Sequence, residues 1–131
     1  MRKRILIFVL VVLVVCALST SALAKTVTKT GKTGTGSSGT LNTLGSLYID
    51  GSHARAETWA GSNDGVTLET TVNLCYINSN GHEQWVGDSG SDYAIATGDP
   101  MKALRAISTH EVDGGIRWGS WTAEISASWV S

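Results

Sequence analysis

The sequence predicts an all-β domain, an antiparallel two-sheet sandwich of about seven strands with one short helical turn near 99–103. Three observations carry this. First, turn signals punctuate the chain: Asp50-Gly51, Asn63-Asp64-Gly65, Asn78-Ser79-Asn80-Gly81, Gly87-Asp88-Ser89-Gly90 and Asp113-Gly114-Gly115. Asn-Gly and Asp-Gly tolerate the positive φ of tight hairpins, and a spacing of about a dozen residues suits a sandwich or barrel. Second, the segments between these turns alternate apolar and polar residues with period two, the mark of strands with one buried face. Third, from Lys25 onward the chain is rich in Ser and Thr and has no Phe.

The elements follow in order. Residues 1–24 read as a secretory signal peptide. Arg2, Lys3 and Arg4 precede an unbroken apolar run from Ile5 to Leu18, and Ala22-Leu23-Ala24 supplies the small-x-small cleavage pattern. The run is shorter than the ~20 residues a membrane span requires. The expected product therefore starts at Lys25, is extracellular, and keeps no stable membrane span. An acylated Cys16 would need a small residue before it, and Val15 stands there. Residues 25–40, KTVTKTGKTGTGSSGT, hold one aliphatic side chain and read as a flexible leader.

The β-sandwich domain is expected over 41–131. Its clearest strand is Val66–Tyr76, with Val66, Leu68, Thr70, Val72, Leu74 and Tyr76 on the inner face and Thr67, Glu69, Thr71, Asn73 and Cys75 on the outer. Trp121–Trp129 is the second, with Trp121, Ala123, Ile125, Ala127 and Trp129 sharing a face. Further strands are read over Leu44–Asp50, Ala54–Ala60, His82–Val86, Tyr93–Thr97 and Leu104–Val112. Asp99-Pro100 offers an N-cap followed by proline at the first helical position, which predicts the helical turn.

Charge excludes one class of partner. From Leu41 onward four basic residues face eleven acidic ones. A body of that sign repels phosphate backbones, so no nucleic-acid partner is expected. With Cys16 removed, Cys75 is alone and no intramolecular disulfide forms. It is read as a small residue covered by its neighbours. His53, His82 and His110 show no zinc-ligand spacing, and the acidic loops lack the EF-hand pattern, so neither a metal nor another cofactor is expected. Gly87-Asp88-Ser89-Gly90 resembles the tetrapeptide around the nucleophile of chymotrypsin-like serine proteases, with His53 and Asp64 upstream. The chain is too short for the two barrels of that family, and the residues that extend its motif are missing. No catalytic residues are expected.

Five tryptophans remain: Trp59, Trp85, Trp118, Trp121 and Trp129. Trp121 and Trp129 lie on an apolar face and read as core. Extending the alternation of the last strand backward puts Trp118 on the opposite face, unless a bulge at Gly119 re-aims it. Trp85 precedes the glycine-rich acidic segment. Trp118 and Trp85 are therefore the candidate ligand-binding residues, since an exposed planar side chain leaves apolar area in water.

Ala106-Ile107-Ser108-Thr109-His110, followed by Gly114-Gly115 and Trp118, resembles the C-terminal part of small Ser/Thr-rich secreted β-sandwich proteins of Gram-positive bacteria. The resemblance implies an exported bacterial β-sandwich and carries no activity with it. The expected function is a non-catalytic secreted module that binds a cell-wall glycan or a surface protein, or associates with itself. A bacteriocin-like antagonist and a small hydrolase are the alternatives. The acidic body disfavours the first, and the absence of a convergent polar constellation disfavours the second.

Overall fold

A computed structural model describes residues 24–129. The signal-peptide reading falls outside that range, Ala24 apart. The described chain forms β1 (Lys25–Lys32), β2 (Asn42–Ile49), β3 (His53–Ala60), β4 (Thr67–Ile77), β5 (Glu83–Gly90), β6 (Tyr93–Thr97), β7 (Ala103–Asp113), the single-turn helix α1 (Gly115–Trp118) and β8 (Ser120–Ser128). Two antiparallel four-stranded sheets result, ordered β1-β2-β3-β6 and β5-β4-β7-β8. The fold is the expected all-β two-sheet sandwich, with eight strands.

Alternation builds the core. The first sheet sends Leu47, Ile49, Ala54, Ala56, Ala94 and Ala96 inward, and the second sends Val72, Leu74, Ala103, Ala106, Ile125 and Ala127. The inner face read for Val66–Tyr76 holds: Thr70, Val72 and Leu74 are buried, while Glu69 and Asn73 are exposed. Cys75 departs from it, because it is fully buried on the outer face. It pairs with Trp85 on one side and Arg105 on the other, beside a register shift at Cys75/Tyr76. The Arg105 guanidinium reaches across it to lie 5.4 Å from the centre of the Trp85 ring. Burial pushes the Cys75 thiol pKa up.

Residues 25–40 are not a flexible leader. Lys25–Lys32 pairs with β2 along its whole length, from Lys25↔Ile49 to Lys32↔Asn42. Alternating threonines favour the extended backbone, and the ladder supplies the order that the strand's own side chains do not. The strand is also tied to the far end of the chain. Lys25 Nζ donates to the Ser128 carbonyl (3.0 Å) and Lys29 Nζ to the Glu124 carbonyl (2.8 Å). The Gly34 amide donates to the Ser120 carbonyl at 2.9 Å. Gly31 lacks a Cβ where the Trp121 ring lies against its backbone. The two edge strands β1 and β8 thus cover each other, which blunts edges that would otherwise template another chain.

Two further expectations are corrected. Asp99–Lys102 is a turn closed by Lys102 N–H to the Asp99 carbonyl at 3.3 Å, not a helical turn. Pro100 followed by Met101 at φ 59° fits a type II turn, and the next residues are drawn into the ladder of β7. The helix lies instead at Gly115–Trp118. Gly87-Asp88-Ser89-Gly90 is the end of β5 rather than a turn. The Asp88 carboxylate accepts the Ile95 amide at 2.9 Å, and Gly90 sits where a Cβ would strike the Tyr93 carbonyl.

Candidate functional site

The two tryptophans singled out from sequence lie far apart. Trp85, 45% exposed, is on β5 at one edge of the second sheet, level with Arg105 near the start of β7. Trp118 is in α1, in the connection from β7 to β8, at the other end of these strands. It is half-buried. Its Nε1 donates to the Asp64 carbonyl at 3.1 Å, and the Arg117 guanidinium covers its ring at 5.3 Å. Arg117 in turn pairs with Asp64 and donates to Ser38. Trp118 therefore pins α1 to the β3–β4 loop. Trp118→Ala is expected to lower stability by about 1–3 kcal/mol, read as a shift in urea midpoint. An unchanged midpoint would show that the pin contributes nothing.

The protease-like string is not assembled either. Ser89 pairs with Thr71 on the outer face of the second sheet, whereas His53 is on the outer face of the first. Asp64 is engaged by Arg117.

A different surface collects exposed aromatic area. The first sheet's outer face carries Leu44 and Tyr48 on β2, Arg55, Glu57 and Trp59 on β3, and Tyr93 and Ile95 on β6. Trp59 is 55% exposed, Tyr93 44% and Ile95 39%. Register places them together: Leu44 faces Trp59, Glu57 faces Tyr93, and Arg55 lies between Tyr48 and Ile95. Trp59 is thus the diagonal neighbour of Tyr93, about 7–8 Å away across the strands.

Local sequence explains the outward turn of these side chains. In β3 the inner positions are Ala54, Ala56, Thr58 and Ala60, and in β6 they are Ala94 and Ala96. The small residues point in and the large ones point out, the reverse of an ordinary half-buried strand. That inversion is written in Ala54–Ala60 and Tyr93–Thr97, and it is the signal by which Trp59, Tyr93 and Ile95 are legible in the sequence.

Polar groups lie among the rings. Arg55 stacks 5.1 Å over the Tyr48 ring and lies 3.8 Å from Glu57. At the end of the β2–β3 hairpin, Asp50 accepts from the Ser52 and His53 amides (2.8 and 2.9 Å) and from Tyr48 (3.2 Å), and pairs with the His53 ring at 3.0 Å. Partial burial raises the Asp50 carboxyl pKa, but these bonds outweigh it and hold it below the ordinary carboxylate value. Beside Trp59 a shallow groove of about 470 Å³ runs along Thr30, Gly31, Lys32, Asn42, Thr43 and Leu44. Rings with hydrogen-bonding groups between them, on a sheet whose backbone is fixed, suit a ligand that has both apolar faces and hydroxyls. Among the described residues no group of three or more His, Cys, Asp or Glu could hold a metal ion.

Compared with known proteins, the chain matches no family model, no curated protein and no solved structure.

Proposed function

We propose that this chain is a non-catalytic binding module, exported and working at the cell surface, that takes a glycan on the outer face of β1-β2-β3-β6. One observation carries the reading. β3 and β6 line the core with alanine and turn Trp59, Tyr93 and Ile95 to the solvent. Exposing that much apolar area forgoes the hydrophobic stabilisation the same residues would give inside, at roughly 25 cal/mol per Å². A covering ligand recovers it. Sugar rings stack on planar side chains through their C–H faces, while Arg55 and Glu57 among the rings and Asn42 beside the groove meet hydroxyls.

The test compares Trp59→Ala, Tyr93→Ala and the double variant with wild type for retention on insoluble cell-wall glycan. Each side chain is about half in water and neither belongs to the core cluster, so each variant should melt within a few degrees of wild type. Each is expected to lose about tenfold in retention, and the double variant is expected to elute freely. Full retention by the double variant would overturn the reading. A concentration-dependent dimer abolished by the same substitutions, with no glycan retention in wild type, would replace the glycan with a second copy of the chain.

A further inference from the structure

We propose that the ligand is an uncharged, linear glycan held by an internal stretch of its chain: it crosses the strands of the first sheet over Trp59 and fills a groove on each side of that ring. This rests on the reading above and names the class of glycan and the way it lies.

Trp59 is shared by two grooves. The one already described, of about 470 Å³, lies over the ends of β1 and β2. The other, of about 420 Å³, lies between the β3–β4 loop and Asp92, the residue before β6. β3 has β2 on one side and β6 on the other, so the two grooves fall on opposite sides of it. Register builds the first: Thr30 pairs with Leu44 and Leu44 with Trp59, a row of three outward side chains. A main-chain bond builds the second. The Thr58 amide donates to the Asp92 carbonyl at 2.9 Å, which brings the chain entering β6 alongside the end of β3. Ala60 and Gly61 follow Trp59, so no long side chain rises between the ring and the loop.

Both grooves have the same chemistry. Each has half-buried aliphatic residues, Leu44 in the first and Val66 and Leu68 in the second. Each also carries hydroxyl and amide groups, from Thr30 and Asn42 in the first and from Ser62 and Asn63 in the second. Like surroundings on both sides of one planar ring suit a ligand whose units repeat. The strip from β1 to β6 crosses three interstrand steps, about 14 Å. A single sugar ring would cover Trp59 and leave the grooves empty. The outer limits of the strip are exposed side chains, Lys32 at one end and Asn63 and Asp92 at the other, so a chain can run on in both directions.

Charge selects the class of chain. Lys32 at one end of the strip offsets Asp92 at the other. The neighbouring charges cancel in pairs, Arg55 with Glu57 and Arg117 with Asp64. The strip thus carries no net charge on a body that is otherwise acidic. A polyanion would be repelled by that body. A polycation would be drawn instead to the outer face of the second sheet, where Glu69 stands directly opposite Glu111. An uncharged chain is the one that the strip favours over the rest of the surface.

The experiment titrates the protein with chito-oligosaccharides of one to six units, which are linear and uncharged, beside retention on insoluble cell-wall glycan. Affinity is expected to rise about tenfold or more from the disaccharide to the hexasaccharide, since each added unit binds intramolecularly. It should be insensitive to salt, because no charge is neutralised. In NMR spectra the hexasaccharide should shift the Leu44 and Asn63 amides together. Thr30→Met and Asn63→Met each place a long, non-planar side chain in one groove. Both positions are exposed, so both variants should melt with wild type. Each is expected to bring the hexasaccharide down to the affinity of the disaccharide. Equal affinity at all lengths, a loss in only one of the variants or in neither, or shifts confined to one side of Trp59 would overturn the inference. Retention on cell-wall glycan that Trp59→Ala abolishes, without binding of any oligomer, would overturn it too and leave the glycan reading standing. No retention and no oligomer binding would remove both.

Discussion

Gly119→Ala is expected to lower stability by roughly 2–5 kcal/mol, combining the cost of a glycine-only backbone region with that of overpacking. Gly119 joins α1 to β8 at φ 76° and ψ −168°. A side chain is disfavoured there even in open space. Here the space is closed as well, because a Cβ would strike the backbone of Gly34 beside the carbonyl. The following residue, Ser120, accepts the Gly34 amide, so any relief strains the junction of the first and last strands. Gly115→Ala separates the two causes. Gly115 has φ 59° and nothing within 4 Å of a would-be Cβ, so it should show only the conformational part, about 1–2 kcal/mol. Urea unfolding of both variants checks this. Equal losses would mean that the Gly34 contact relaxes without cost.

Leu74→Ala should cost about 2–5 kcal/mol. Leu74 is fully buried in β4, a central strand of its sheet, and packs in a core otherwise built largely of alanine. Small neighbours such as Ala54, Ala56, Ala94 and Ala96 cannot swing in to fill the hole, which favours the upper half of that range. Glu69→Ala, on the exposed face of the same strand, should stay within about 0.5 kcal/mol. Similar losses for both would contradict the face assignment.

What the sequence made legible follows from where the stabilisation resides. Period two over Val66–Tyr76 and Trp121–Trp129 announces strands because those residues bury their own side chains. Lys25–Lys32 shows no such period. It is held by the ladder to β2 and by lysine bonds to β8, and both depend on partners distant in sequence. Asp99-Pro100 is ambiguous by nature, since proline at the first helical position and proline at the second position of a turn share one φ. Carrying the parity of β8 back through Gly119 misplaced Trp118, because a single helical turn resets the alternation. The aromatic face was written in the alanines of β3 and β6. It stays hidden while large apolar residues are assumed to point inward, and inverted strands break that assumption.

The meeting of β1 with β8 bears on when the molecule can take shape. Its first strand closes against its last, through Lys25–Ser128, Lys29–Glu124 and Gly34–Ser120. During synthesis the sandwich stays open on that side until residues 120–128 have been made. Long-range closure of this kind is slow, and the half-built sheets expose apolar surface meanwhile. Closure of the first strand on the last is therefore the step that completes the sandwich, and it waits until the last strand has been made.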